Sequence, residues 1–283
     1  MSTAVTPAAR PGPSGPGAVG FRRVMSGSGV FGPRPLLVGH RGCGCGTVDG
    51  HRENTLASFL AAAALGIDWI EVDVRRTRDD QLVVAHNPAD ADGVFYADIT
   101  GVEAAARGAT RLDELLDCLP VGVGAQLDVK TAMEDATRDR ALTTMGRLAA
   151  VARHEARRRD VLVSSFDPAA LDIARELVPG VARALLTWLD FPIGLAVAAA
   201  GHLDVQVLAP HWGSLRPNHV EPESLQRPLA YVVEMVHASG REFLAWCPSL
   251  EFARQLLVAG VDALCVNNVP EIVVALAGDR AAV

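Results

Sequence analysis

The segment Trp69-Ile70-Glu71-Val72-Asp73-Val74 alternates apolar and acidic residues, which is the pattern of a β-strand with one polar face. Side chains two positions apart in a strand point to the same side, so Glu71 and Asp73 share a face. The aliphatic residues around them face the other way, and we expect them to pack against helices. The two carboxylates can then share one divalent cation, because such an ion prefers oxygen ligands.

A second segment, Gln126-Leu127-Asp128-Val129-Lys130, repeats the alternation and supplies a third predicted metal ligand, Asp128. Lys130 lies on the same face and is the only lysine among the 26 lysine and arginine residues. A compact ammonium on a flexible stem can lie beside carboxylates and still reach a phosphate oxygen. We therefore predict that Lys130 binds phosphate; chance retention of one surface lysine is the alternative.

Runs of β-forming residues alternate with helical segments along the chain, as in a parallel α/β barrel. Strands are predicted at 36–40, 69–74, 82–86, 123–129, 161–164, 182–186, 205–209 and 243–246, with a possible ninth at 263–266. Helices are predicted at 55–65, 134–158, 168–177, 222–238, 250–259 and 270–277. Either one strand is surplus or the third pairs with the second as a hairpin, since their link is too short for a crossover helix. The predicted fold is an α/β, TIM (β/α)8-type barrel.

The first 34 residues differ in composition from the rest. They are rich in Ala, Pro, Gly and Ser, and they lack the apolar segment of a secretory signal. We predict a disordered leader at residues 1–34 and one barrel domain at residues 35–283, a length that suits such a barrel. No run of 18 apolar residues occurs, so no transmembrane segment is predicted.

Charge and cysteine content restrict the partners and the compartment. The net charge is −7, and the leader contains four arginines and no acid, so the remainder is more acidic still. Nucleic acid is therefore not an expected partner. The five cysteines are odd in number and lack metal-site spacing, which favours a reducing, cytoplasmic compartment.

Two histidines, His40 and His86, end predicted strands, and Arg41 follows the first of them. The carboxyl ends of barrel strands carry the active site in this architecture, and core packing does not explain such clustering. Two imidazoles, a cation-binding acid cluster and basic groups are what metal-assisted attack on a phosphodiester requires. His40 and His86 are thus the candidate general acid and base, in either order.

As an ordered set, these residues resemble the glycerophosphodiester phosphodiesterase family, within the phosphatidylinositol-phospholipase-C-like barrels. The motifs that carry the resemblance are His40-Arg41-Gly42, Glu53-Asn54-Thr55, Glu71-Val72-Asp73, Thr77-Arg78-Asp79, Val83-Val84-Ala85-His86, Asp128-Val129-Lys130, Ser164-Ser165-Phe166-Asp167, Trp246 and Gly260-Val261-Asp262. They span about residues 35–277.

The resemblance implies metal-dependent hydrolysis of a glycerophosphodiester, or of a related small phosphodiester or lysophospholipid, with one Mg or Ca ion. Arg41 and Lys130 are expected to neutralise charge on the phosphate. Glu53 is expected to orient Arg41 or the ion, or else to be an acid of the turn before the first helix. Trp246 is expected to offer an apolar wall to the substrate, or simply to fill the barrel mouth.

The sequence departs from the family pattern at five places, one of which is a longer loop between His40 and Glu53. Asp128 replaces the usual glutamate, as in the related sphingomyelinase D-like barrels, and Asn87 replaces an acid after His86. Cys247-Pro248-Ser249 follows Trp246 in place of Thr-Val-Asn, and Asn267-Asn268 stands where Thr-Asp is common. These changes lie around the alcohol pocket, so phosphodiester chemistry is expected to be retained, but selectivity for glycerol is not predicted. A lyase that forms a cyclic phosphate and a catalytically silent, phosphate-binding barrel are the alternatives.

Overall fold

A computed structural model describes residues 29–32 and 35–278, and its central feature is a closed barrel of parallel strands. The strands are β1 (Leu36–Gly39), β2 (Thr47–Val48), β3 (His51–Arg52), β4 (Trp69–Arg76), β5 (Leu82–Val84), β6 (Thr110–Arg111), β7 (Gly124–Val129), β8 (Val161–Ser165), β9 (Ala182–Thr187), β10 (Val207–Pro210), β11 (Glu242–Trp246) and β12 (Ala263–Val266). The barrel consists of β1, β4 and β7 to β12, and it closes because β1 pairs with both β12 and β4. The predicted TIM (β/α)8-type fold is confirmed.

The predicted third strand, β5, is a hairpin partner of β4 rather than a barrel strand. It runs antiparallel to β4, with Val74 opposite Val84. The turn between them is closed by a 2.9 Å hydrogen bond from Thr77 N to Gln81 O, and Asp80 has a positive φ of 64°. This pairing decides between the two alternatives and brings the residues after β5 back toward the middle of β4.

Nine helices are present in the described part of the chain. They are α1 (Leu56–Ala64), α2 (Gly101–Ala106), α3 (Leu112–Cys118), α4 (Thr144–Glu155), α5 (Pro168–Leu177), α6 (Ile193–Leu203), α7 (Leu229–Ala238), α8 (Leu250–Ala259) and α9 (Val269–Leu276). The sequence pattern located α1, α5, α8 and α9 within one residue at each end. It missed α2, α3 and α6, although Thr100 and Glu103 form a capping box at the start of α2.

The helix predicted at 134–158 was wrong in its first half. Two 3₁₀ segments, Met133–Thr137 and Arg140–Leu142, precede α4. The carboxylate of Asp135 accepts hydrogen bonds of 3.1 Å from Thr144 N, and the Thr143 hydroxyl caps α4 by accepting from Gly146 N. These side chains compete with helical hydrogen bonds and turn the chain. Similarly, the helix predicted at 222–238 begins only at Leu229, directly after Pro228.

Strand alternation divides the core into two regions. Ile70, Val72 and Val74 of β4 are fully buried on the outer face, in the cluster that contains the helices. The inner face carries a second apolar cluster that includes Leu36, Trp69 and Leu244. Glu71 and Asp73 follow Trp69 on the same inner face, so the barrel interior changes from apolar to acidic toward its carboxyl end.

Residues 29–32, which belong to the predicted leader, pack against the amino-terminal end of the barrel. Val30 N donates to Glu242 Oε2 at 2.6 Å, and Phe31 N donates to Glu242 Oε1 at 3.3 Å. The Phe31 ring is 4% exposed and meets Trp69 edge-on at a centroid distance of 5.6 Å. The other leader residues, 1–28 and 33–34, lie outside the described residues, so their predicted disorder is not tested.

Across the described ranges, no helix combines the length and apolarity that a bilayer crossing requires. The five cysteines all fall within these ranges, and none of them forms a disulfide. The cytoplasmic location inferred from cysteine usage stays a prediction.

The contact between Phe31 and Trp69 predicts a stability effect far from the acids. Phe31→Ala should lower the free energy of unfolding by about 3 kcal/mol, because it removes a buried ring and leaves a cavity. Urea unfolding followed by tryptophan fluorescence measures this loss. Val102→Ala, at a position that is 77% exposed on α2, is the matched control and should change little. Equal unfolding midpoints for Phe31→Ala and the control would contradict the packing of residues 29–32.

Candidate active site

Three carboxylates converge inside the barrel at the carboxyl ends of β4 and β7. The parallel register of these strands places Asp73 beside Asp128 and Glu71 beside Gln126. One oxygen from each of Glu71, Asp73 and Asp128 lies within 4.8 Å of the other two. All three side chains are buried. The structure therefore brings together the three residues predicted as metal ligands.

Two basic side chains partly compensate the three acids. Lys130 Nζ lies 2.9 Å from Asp73 Oδ1 and also pairs with Asp128 Oδ2. Arg41 Nε lies 3.3 Å from Asp73 Oδ2, and the Arg41 backbone N–H donates to Glu71 Oε2 at 3.0 Å. Asp128 Oδ1 is buried and accepts no hydrogen bond. An excess of negative charge and an unused carboxylate oxygen fit a divalent cation.

The pKa values of the acids reflect this crowding. Burial raises the pKa of Glu71 well above its usual value, and the charges of Asp73 and Asp128 raise it further. Burial also raises the pKa of Asp128, to about 6, although Lys130 opposes the change. Burial alone would raise the pKa of Asp73, but Lys130 and Arg41 lower it to about 2. Holding all three acids charged thus requires additional positive charge.

His40 follows β1 and is oriented by a residue from the far end of the chain. Its Nδ1 lies 2.6 Å from Asn267 Oδ1 and 3.3 Å from Cys247 Sγ. An amide oxygen only accepts, so Nδ1 carries the ring proton and Nε2 presents a lone pair. Nε2 lies 4.0 Å from Glu71 Oε2. Burial and Arg41 lower the pKa of His40 to about 4, which favours the neutral ring.

His86 follows β5 and reaches the site because β5 folds back on β4. Its carbonyl oxygen accepts hydrogen bonds from Arg75 Nε and Nη2 at 3.0 and 2.5 Å, which ties the loop to β4. Its Nδ1 lies 3.0 Å from Asn87 Oδ1. Burial lowers the pKa of His86. The negative charge of Asp73 raises this pKa, whereas the positive charges of Arg41 and Lys130 lower it further.

Both histidines line one cavity that has a charged side and an aromatic side. The charged side contains His40, Arg41, Glu71, His86, Gln126, Asp128 and Lys130, and the other side contains Phe166, Leu186, Trp188 and Trp246. Phe166 stacks on Trp188 at a centroid distance of 3.8 Å and meets Trp246 edge-on at 5.8 Å. We call Phe166, Trp188 and Trp246 the aromatic wall. Trp246 therefore lines the cavity, and its contact with a substrate stays a prediction.

Glu53 contacts Arg41 and does not line this cavity. Its Oε1 accepts from Arg41 Nη1 at 2.9 Å, and its Oε2 accepts from Gly46 N. The cap of α1 is instead Thr55, whose hydroxyl accepts from Ser58 N at 3.3 Å. Glu53 thus contacts Arg41 from the turn that precedes α1, so both of its predicted roles stay predictions.

The sequence profile of the glycerophosphoryl diester phosphodiesterase family matches residues 40–271. The chain belongs to this family. The matched range contains every candidate site residue named above. Family membership and the barrel agree, because this family is built on TIM-barrel folds.

Curated relatives match only short segments. A glycerophosphodiester phosphodiesterase of Arabidopsis thaliana is 36% identical over 73 residues, which is 23% of this chain and 18% of that protein. A glycerophosphocholine phosphodiesterase homologue of Caenorhabditis elegans is 45% identical over 56 residues, which is 19% of this chain and 8% of that protein. The chain thus aligns with less than a fifth of the length of either relative.

Solved structures match nearly the whole barrel. A phosphodiesterase of Oleispira antarctica, in complex with the product sn-glycerol-3-phosphate, has a TM-score of 0.68 and 23% identity, covering 87% of this chain and 98% of that one. A glycerophosphodiester phosphodiesterase of Thermotoga maritima has a TM-score of 0.64 and 20% identity, covering 85% and 98%. At these identities the likeness shows the shared fold.

Three side chains that help to build the candidate site were not predicted as site residues from the sequence. Phe166 appeared only within a motif, Trp188 was not singled out, and Asn267 was noted only as a departure. Asn267 lies 227 positions from His40, so no local spacing could connect them. The one signal for Asn267 in the sequence was its position just after β12. The carboxyl ends of all strands in a closed barrel meet at one face, which is also where His40 lies.

The hydrogen bond between Asn267 and His40 predicts a positioning effect on catalysis. Asn267→Leu should lower kcat by about one to two orders of magnitude with little change in KM, because the ring loses the acceptor that fixes its tautomer. Asn267→Asp should retain more activity, since its carboxylate still accepts from Nδ1. Steady-state kinetics of both variants measure the difference. Equal kcat values for Asn267→Leu and wild type would contradict the assigned role.

Proposed function

We propose that the protein hydrolyses glycerophosphodiesters, or a related small phosphodiester or lysophospholipid, with one Mg or Ca ion bound by Glu71, Asp73 and Asp128. The observation that carries the proposal is the meeting of this acid cluster with two imidazoles in a single cavity. When bound, the ion supplies Lewis-acid stabilisation of charge on a phosphate oxygen. Product binding by the structurally similar Oleispira antarctica enzyme supports a small substrate.

Lys130 is the residue best placed to bind the phosphate. Its ammonium contacts Asp73 and Asp128 and also lies 5.4 Å from the Phe166 ring centroid, at the boundary between the charged and aromatic sides. A phosphate oxygen at this boundary gains a charge-assisted hydrogen bond. Arg41 also lines the cavity and contributes positive charge there. Its guanidinium is held in place by ion pairs with Glu53 and Asp73.

His40 and His86 share the proton transfers. Each ring has its Nδ1 on an asparagine oxygen, so each presents Nε2 for chemistry. One ring removes a proton from the nucleophile, either water or a neighbouring substrate hydroxyl. The other, in its protonated form, donates a proton to the leaving alkoxide.

The aromatic wall is proposed to receive a substituent of the phosphodiester. Trp188 is 60% exposed, so the wall continues from the cavity to the surface. Aromatic faces accept apolar chains and, through cation–π attraction, quaternary ammonium groups. This composition suits a larger alcohol than glycerol.

Replacement of each histidine tests the proposed chemistry. His40→Ala and His86→Ala should lower turnover of sn-glycero-3-phosphocholine, glycerophosphoethanolamine and lysophosphatidylcholine by about 10²-fold or more, measured with Mg and with Ca. His202→Ala, at an exposed position on α6, is the matched control and should retain wild-type rates. Wild-type rates for His40→Ala and His86→Ala on every substrate would refute the catalytic proposal.

Product analysis by phosphorus NMR separates hydrolysis from the lyase alternative. That alternative is favoured by Asp128, because the sphingomyelinase D-like barrels also have an aspartate at this position. Appearance of a phosphomonoester supports hydrolysis. A cyclic phosphate that persists in the presence of the enzyme supports the lyase. Binding of the diester without turnover supports the silent barrel.

The aromatic wall predicts a substrate-dependent effect of Trp246→Ala. The KM for lysophosphatidylcholine should rise by about tenfold, because an apolar contact is lost, while kcat changes less. Trp212→Ala is the control, since Trp212 packs on Phe252 and Arg216 rather than lining the cavity. An unchanged KM for every substrate would show that Trp246 only fills the barrel mouth.

A further inference from the structure

Gln126 is a buried amide beside the acids, and its oxygen atom is unused. The residue is 1% exposed, and its Nε2 donates to Ser164 Oγ at 3.1 Å. Its Oε1 is buried and accepts no hydrogen bond. A buried carbonyl oxygen without a donor is unfavourable, because it has lost its hydrogen bonds to water and gained none in the protein. Such an atom in a cavity wall therefore points to a ligand.

The position of Gln126 in the barrel places it next to the acid cluster. It lies on β7 two residues before Asp128, so both side chains project into the barrel. On the neighbouring strand β4, Glu71 is its partner in the parallel register. On the other side, Ser164 of β8 holds the Nε2 group. With Nε2 donating to Ser164 on β8, Oε1 is the amide atom that remains without a partner.

The carboxylates alone offer few oxygens to a cation. Asp73 Oδ2 accepts a hydrogen bond from Asn54 Nδ2 at 2.8 Å and lies 3.3 Å from Arg41 Nε, and Asp73 Oδ1 lies 2.9 Å from Lys130 Nζ. Asp128 has one oxygen on Lys130, and Glu71 accepts from the Arg41 backbone with one of its two. Mg takes six oxygen ligands and Ca takes about six to eight. Further protein oxygens in reach of the ion would therefore stabilise its binding.

We propose that Gln126 Oε1 is a fourth protein ligand of the divalent cation. The assignment rests on the proposed function, because it requires the ion at Glu71, Asp73 and Asp128. Amide oxygens are ordinary ligands of hard cations. An amide oxygen is neutral, so it adds a ligand without adding a fourth negative charge. The cluster already contains three acids and two bases.

Isothermal titration of the metal-stripped, full-length protein with Mg²⁺ and with Ca²⁺ tests this assignment without substrate. Gln126→Leu should weaken binding by about 10–100-fold. Gln126→Glu should bind the ion as tightly as wild type or more tightly, because it keeps the oxygen. Gln126→Met, closer in shape to glutamine, replaces the leucine variant if circular dichroism shows that leucine disturbs the fold.

Two results would overturn the assignment. One is wild-type affinity in Gln126→Leu or Gln126→Met. The other is equal weakening in Gln126→Glu, which would show that the amide N–H₂ is the functional group. Asp128→Ala distinguishes the two levels of the proposal. If Asp128→Ala loses the ion while Gln126→Leu keeps it, only the fourth ligand fails; if Asp128→Ala binds normally, the cation site itself fails.

Discussion

The structure depends on one electrostatic constraint, which is that three acids and two bases share the interior of the barrel. Lys130 pairs with Asp73 and Asp128, Arg41 lies beside Asp73 and donates its backbone N–H to Glu71, and the three acids are buried. Buried charges of one sign are costly unless they are paired. The unpaired remainder is negative, and a divalent cation followed by a phosphodiester is the natural way to balance it. The same imbalance that costs stability is what the proposed cation would compensate.

Barrel geometry makes this arrangement possible with few residues. The alternation within β4 sends Trp69, Glu71 and Asp73 inward at successive levels, and the register with β7 adds Asp128 at the level of Asp73. The amino-terminal end of the barrel interior is apolar, and Phe31 packs against it. The acidic side chains lie nearer the carboxyl end. Rigid strands hold the acids, while the loops that follow β1, β5 and β12 supply His40, His86 and Asn267. The apolar packing that supports the barrel and the charged side chains of the candidate site therefore lie at different positions along the barrel axis.

Much of this site could be read from the sequence because period-two alternation is a local signal. Glu71, Asp73 and Asp128 were predicted from two short segments, and the motif order indicated the family. The antiparallel pairing of β5 with β4, which brings His86 to the site just after β5, was one of two alternatives, and the length of the link could not decide between them. The contact of Asn267 with His40 and the stacking of Phe166 on Trp188 depend on barrel closure, so no local pattern contained them. Likewise, Asp135 interrupts the predicted helix at 134–158 by bonding to Thr144 N, a competition that helical periodicity does not reveal.

Anomalous diffraction from crystals grown with Mn²⁺, a substitute for Mg²⁺, tests the cation site most directly. The account predicts one strong peak inside the barrel, with carboxylate oxygens of Glu71, Asp73 and Asp128 at about 2.0–2.3 Å. A peak bound elsewhere, with these three carboxylates bonded only to Lys130 and Arg41, would contradict it.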